Sequence, residues 1–354
     1  MLPGPNAVPQ DTRIVVNIPA FRMDLFRDGT LVKSYKIGIG YPEFPLPRGF
    51  RKAETIIFNP TWTQPNESWA SNPGEVVPAG APGNPLGPIK IPIGGANLIH
   101  GGKALAKIGN FASHGCVGLT NAQVKDFAKV LADATNTQLT AQTMLSYFRR
   151  PTRTQVVKLA QVVPVELRYE TIVAEDGKLH IYRDVYNQKT NTEENLRAVL
   201  EANGVTFDKL SDDEKSQVTE ALNIVSGHAK KQPTPAPLPA NATASDRAAA
   251  AAARKAEAQR QKKLRSQREF VIEIAALAAK GYPAAANLNT GAADATMTAS
   301  LSVNEVAATA PTNRVVRPRP VTSPTPRGAP EPVASPTSPG VTPQPRTSPT
   351  PGPR

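Results

Sequence analysis

The 354-residue chain is poor in the residues that most often do chemistry: it has one cysteine, Cys116, and four histidines. A single cysteine excludes an internal disulfide and leaves the redox compartment open. Aromatic residues make up only 5% of the chain, and beyond residue 228 only Phe270 and Tyr282 are aromatic. No stretch approaches the roughly 20 apolar residues of a membrane-spanning helix. There is no internal repeat and no nucleotide-binding glycine loop. Met1-Leu2-Pro3-Gly4-Pro5 has neither the basic start nor the apolar centre of a secretion signal. No export signal is therefore visible in the sequence.

What is abundant is proline, 36 residues, and positive charge, +12 net. The prolines crowd into the loops of the first hundred residues and into the tail, where much of the charge also lies. Such a balance favours anionic partners, whether nucleic acid, a membrane surface or anionic wall polymers.

Patterning divides the chain into four parts. Residues 1–12 read as a flexible lead-in. Strands are expected over 13–18, 21–26, 31–39 and 55–58, with Asp28-Gly29 as a hairpin turn. Trp62 and Trp69 lie in a proline-rich loop and suit packing anchors better than ligand contacts. Helices are expected from Thr120 or Asn121 to Asp133 and after Thr140, each with a capping residue. Many short strands with few helices over 13–150 predict a β-rich domain. Across 151–228, a hairpin turning at Glu175-Asp176-Gly177 is expected to extend that domain's sheet. Two helices follow, near 192–203 and 212–226, with Asn191/Glu194 and Ser211/Glu214 as capping boxes. Residues 229–354 read as a linker, a basic alanine-rich helix over 246–279, and a disordered Pro/Ser/Thr-rich tail. Phe270, Ile272, Ile274 and Leu277 form an apolar patch on that helix. With all candidate chemistry before residue 150, the part after residue 229 is expected to be dispensable for turnover.

That chemistry lies in two runs, Leu98-Ile99-His100-Gly101-Gly102 and Ser113-His114-Gly115-Cys116-Val117-Gly118. A thiol with a nearby imidazole suits nucleophilic acyl transfer, the imidazole lowering the thiol pKa and moving its proton. Backbone N–H groups of His114, Gly115 and Cys116 on a tight turn suit an oxyanion. A carbonyl of the Gly101-Gly102 turn is the candidate to orient His100, because no Asp or Asn stands close by. Ser113 and the His114 side chain suit bracing of the turn. Two alternatives stay open: a small structural thiol, and zinc held by His100, His114 and Cys116.

His-Gly, a spacer and Ser-His-Gly-Cys resemble the L,D-transpeptidase catalytic domain family, the cysteine enzymes of bacterial peptidoglycan. Asn59-Pro60-Thr61-Trp62 with Pro65, Asn84-Pro85-Leu86-Gly87 and Thr120-Asn121-Ala122 extend the likeness from about Arg13 to Arg149. It continues more weakly from Pro164 to Asn191. The resemblance implies a sandwich-like β fold, Cys116 as nucleophile, His100 as proton donor and acceptor, and no cofactor or metal. Peptidoglycan stem peptides are the implied partners and the cell envelope or periplasm the implied location. No nucleic acid is expected, and the basic tail is a candidate contact to an anionic wall or membrane surface. Transfer to water instead of an amine would make the chain an L,D-carboxypeptidase, and a non-catalytic wall-binding protein is the third possibility. The family usually has arginine or asparagine where this chain has Gly118, and tends to have threonine where Arg48 stands. Arg48 is thus a candidate for a replacement charge, and Trp62, Arg48 and Gly118 are the candidates for the substrate groove.

Overall fold

The structure, a computed structural model, describes residues 4–227 and 243–291. The linker prolines 233–239 and the Pro/Ser/Thr-rich tail from 292 lie outside the described residues.

Apolar alternation produces the first hairpin. Ile14 and Val16 of β1 (Arg13–Asn17) are fully buried, as are Met23 and Leu25 of β2 (Arg22–Arg27). Asp28 and Gly29 turn the chain with φ of 48° and 81°, the left-handed pair a two-residue hairpin requires. The chain returns as β3 (Thr30–Lys36), followed by the short β4 (Ile39–Gly40). β5 (Gly49–Phe58) is longer than its apolar end suggests, and β6 (Trp62–Thr63) pairs with β7 (Val76–Val77) in the proline-rich loop. β8 (Ile89–Pro92), β9 (Leu98–His100), β10 (Phe111–Ser113) and β11 (Val117–Gly118) carry the two motif runs.

Thr120 caps α1 (Asn121–Ala134) in a full capping box with Gln123, and Thr140 caps α2 (Ala141–Phe148). Val124, Phe127, Ala128 and Leu131 of α1 are buried against the sheet, with Phe127 edge-on to Tyr35 at 5.3 Å. The main sheet has eight strands in the order β11-β9-β8-β5-β12-β1-β2-β3. β12 (Gln155–Arg168) lies at its centre, antiparallel to β5 and parallel to β1. The main core therefore takes in residues beyond 150, among them Val163, Val165 and Leu167. The chain is β-rich with few helices.

The expected hairpin forms as β13 (Ile172–Glu175) and β14 (Lys178–Tyr182), but it does not extend the main sheet. It belongs to a separate three-stranded sheet covered by α3 (Glu193–Ala202) and α4 (Asp212–Val225). α4 has the expected Ser211/Glu214 box. α3 is capped one residue later than expected, by Thr192 accepting from Asn195 N–H.

The third strand is the main departure from the sequence expectation. Helix α5 (Ala244–Ser266) stops at Ser266, and β15 (Glu269–Glu273) pairs antiparallel with β14. Ile272 and Ile274 alternate with Glu269, Val271 and Glu273, a period of two that a β-branched run favours over a helix. Ile272, Ile274 and Leu277 are buried between the hairpin and the two helices, so they form no exposed patch. The chain then runs back to the main sheet. Tyr282 N–H donates to Ala174 O, its hydroxyl donates to Asp24, Asn289 N–H donates to Ser34 O, and Asn289 O accepts from Lys36 N–H. The lead-in is tied down as well: Asn6 donates to Ile172 O and accepts from Ala174 N–H.

This return segment sets where the chain can be cut. Removing residues 229–354 takes away Ile272, Ile274 and Leu277, each worth about 1.5–3 kcal/mol of burial. The expected result is a loss on the order of 5 kcal/mol in urea unfolding, while removal of 292–354 alone leaves the midpoint unchanged. Equal midpoints for both truncations would show that β15 adds nothing to the fold.

Candidate active site

Ile91 on β8 and Ile99 on β9 are register partners, and both are fully buried. This pairing fixes the end of β9, where His100 is only 3% exposed. β11 then lies parallel to β9, with Val117 opposite Ile99 and Gly118 opposite His100. Register partners in neighbouring strands share a face, and residues two apart along a strand share it too. Cys116 directly precedes β11, so the β9–β11 pairing brings the two motif runs side by side. Gly38 holds β11 from the other side through two backbone hydrogen bonds of 2.8 Å with Gly118.

The turn before Cys116 is closed by Ser113. Its hydroxyl donates to Cys116 O at 2.6 Å and accepts from Cys116 N–H at 3.0 Å. Gly115 takes a φ of 93°, and its carbonyl accepts from the Asn97 side chain. With the Cys116 N–H taken by Ser113, it is not free for an oxyanion. The N–H groups of His114 and Gly115 have no partner among the described residues. The His114 ring does not join His100. It stacks on Trp69 at 4.0 Å and 8°, with Phe44 and Tyr41 at 5.0 and 5.5 Å.

His100 Nδ1 lies 2.7 Å from Gly101 O. A carbonyl only accepts, so Nδ1 carries the hydrogen and Nε2 keeps its lone pair. The turn that supplies this carbonyl is held by Asn121, whose side chain accepts from Gly102 N–H at 2.8 Å. Gly102 has a φ of 80°, and a Cβ there would meet Pro85 O at 2.4 Å, so glycine is required.

Burial dominates the electrostatics. It lowers His100 to about 3, with the nearby Lys103 cation adding to the effect and the Gly101 bond opposing it. Burial also pushes the Cys116 thiol up, against the pull of Leu98 N–H and Lys103. The expected lowering of the thiol by its imidazole is thus reversed in the resting site: the pair is thiol and neutral imidazole.

Of the other sequence candidates, Trp62 sits in the β6–β7 pair. Arg48 donates to Gln188 at 2.8 Å in a surface groove with Tyr169, Glu170 and Thr192, apart from Cys116. Lys103, Trp69, Asn97 and Asn121 are site residues that spacing did not single out. Among the described residues no group of three or more His, Cys, Asp or Glu is arranged to hold a metal ion.

The family model for the L,D-transpeptidase catalytic domain matches residues 11–156, a span that contains every residue of this constellation. Residues 11–156 are thus similar to the L,D-transpeptidase catalytic domain family. This domain is 37% identical over 124 residues to the "Probable L,D-transpeptidase ErfK/SrfK" of Escherichia coli, covering 32% of this chain and 38% of that protein. It is 28% identical over 144 residues to a Bacillus licheniformis L,D-transpeptidase homologue, covering 40% of this chain and 73% of that protein. The catalytic domain of the E. faecium L,D-transpeptidase aligns over 46% of this chain and 100% of its own length, with 17% identity and a TM-score of 0.31. The chain spans 38% of the length of the E. coli relative. The matched span contains β1 through α2 and only the start of β12, so the family match ends inside the central strand of the sheet.

A buried neutral His100 makes the domain sensitive to acid. The unfolded chain takes up the proton near pH 6.5, and the folded domain only near 3. Between these values the unfolded state binds more protons, so stability falls by about 1.4 kcal/mol per pH unit as pH drops. From pH 6.5 to 4.5 the wild type should lose about 2–3 kcal/mol more than His100→Gln, measured by urea unfolding. Equal losses would mean that His100 is charged in the fold.

Proposed function

We propose that the chain is a peptidoglycan L,D-transpeptidase acting through a Cys116 acyl-enzyme in the bacterial cell envelope. The observation that carries this is the pairing of β9, which ends on His100, with β11, which starts directly after Cys116, together with His100 Nδ1 on Gly101 O, which leaves Nε2 as base. The match of residues 11–156 to the L,D-transpeptidase catalytic domain model supports it.

Cys116 Sγ gives its proton to His100 Nε2 and attacks the carbonyl before the terminal D-residue of a stem tetrapeptide. The C–S bond forms as the carbonyl π pair moves to oxygen, where the N–H groups of His114 and Gly115 are the available donors. Collapse breaks the C–N bond. The leaving amine takes the proton from His100, and the D-amino acid departs. An acceptor amine then attacks the thioester, its proton passes to His100, and the thiol recovers it on leaving. A thiol kept protonated by burial loses its proton in the attack itself, so the base is needed in that step. Ser113 fixes the turn, and the stack on Trp69 holds the His114 backbone in place. The reaction requires no cofactor.

The partners are peptidoglycan stem peptides. Exposed basic residues of α5, among them Arg254, Lys255, Lys262 and Lys263, suit contact with an anionic wall or membrane surface. Among the described residues no helix is long and apolar enough to cross a membrane.

Purified full-length protein and a disaccharide tetrapeptide test this, with products read by mass spectrometry. A cross-linked dimer with release of a D-amino acid is expected, with none from Cys116→Ala. Trimmed tripeptide alone would assign L,D-carboxypeptidase activity, and no product at all would favour a wall-binding role. Alkylation of Cys116 by iodoacetamide should keep rising above the ordinary thiol pKa of about 8.5. A plateau well below it would show a resting thiolate.

A further inference from the structure

Gly118 has no side chain, and the space one would occupy is filled from elsewhere. A Cβ built on Gly118 would lie 2.8, 3.4 and 3.1 Å from Cγ, Cδ and Cε of Lys103. The lysine stem therefore lies flat across the glycine, on the face that Gly118 shares with His100. Its backbone is fixed there, since Lys103 N–H donates to Leu119 O at 3.1 Å. Residues two apart on one face of a strand are separated by roughly 7 Å, so an ammonium carried past Gly118 reaches the vicinity of the thiol. Lys103 is half-buried and makes no ion pair or side-chain hydrogen bond among the described residues.

A partly buried cation without a counter-charge is costly unless the bound state supplies an anion. The neighbouring groups supply none at rest, since His100 and His114 are imidazoles and Cys116 is a thiol. Arg48, the other candidate charge, is hydrogen bonded to Gln188 in a separate groove. Burial lowers the Lys103 pKa, and its field reaches Cys116, His100 and His114.

We propose that Lys103, laid over Gly118, is the anion anchor of the site and binds the C-terminal carboxylate of the donor peptide's leaving D-residue. The substrate assignment rests on the transpeptidase reading given above. In such a peptide the terminal carboxylate is separated from the scissile carbonyl by only the amide nitrogen and one α-carbon. An ammonium beside the thiol is therefore at the right range to hold one group while Cys116 attacks the other. Lys103 would thus determine specificity for a free carboxylate at the peptide end.

Two measurements on the full chain test this, with Lys103→Met to keep the stem without the charge and Lys103→Arg to restore the charge. The first compares alkylation of Cys116 by anionic iodoacetate and by neutral iodoacetamide, and needs no turnover. The iodoacetate-to-iodoacetamide rate ratio should fall about tenfold in Lys103→Met and recover in Lys103→Arg. The second compares a disaccharide tetrapeptide with its C-terminal amide. Lys103→Met should raise KM for the acid about tenfold, leave kcat within about twofold, and leave the amide unaffected. An unchanged rate ratio, or equal losses on acid and amide, would overturn the anchor. Equal slowing of both alkylating agents would place the effect of Lys103 on the thiol itself. A wild type with the iodoacetate preference but no turnover of either peptide would reject both the transpeptidase reading and the peptide carboxylate as the anchored anion.

Discussion

The two candidate residues, Cys116 and His100, come from different runs of chain, and a short parallel ladder brings those runs together. β11 contributes only Val117 and Gly118, and it is held on both sides, by Ile99 and His100 of β9 and by Gly38. A two-residue strand has little stability of its own. Its position derives from the fully buried isoleucines of β8 and β9 and from α1, which follows it directly. Capping of α1 by Thr120, with Asn121 gripping Gly102, links the start of that helix to the loop that orients His100. Slippage of β11 by one residue would take Gly118 out of register with His100.

Burial then decides the chemistry that this geometry permits. A thiol and an imidazole in water near neutral pH would share a proton readily. Here burial penalises both charged forms, so thiol and imidazole both rest neutral. The positive field of Lys103 acts in the same direction on His100 and the opposite direction on Cys116. This cation thus disfavours imidazolium and favours any anion that arrives.

Much of this was legible in the sequence, and the illegible parts share a physical cause. The strands around the motifs, the Asp28-Gly29 turn, the Thr120 and Thr140 caps and the Ser211/Glu214 box follow from local alternation and capping chemistry. The carbonyl opposite His100 was inferred from the Gly101-Gly102 turn, because the choice lay within two residues. Lys103 was not inferred, since its role depends on the missing side chain fifteen residues later in the chain. The stack of Trp69 on His114 is equally non-local. The segment after Ser266 was misassigned because it follows an alanine-rich helix whose propensity is strong. The alternation of Ile272 and Ile274 becomes decisive only when β14 offers an edge to pair with.

The late return of β15 shapes how the chain comes together. As the polypeptide emerges from its N-terminal end, β13 and β14 become available with α3 and α4 long before their third strand. Until residues 269–277 arrive, β14 presents an unpaired edge, and the core beneath it lacks Ile272, Ile274 and Leu277. Such an edge can recruit a strand from a second molecule. Non-local pairing of this kind is also slow to form. The interval between the two events is therefore when the open edge of β14 is most exposed to self-association.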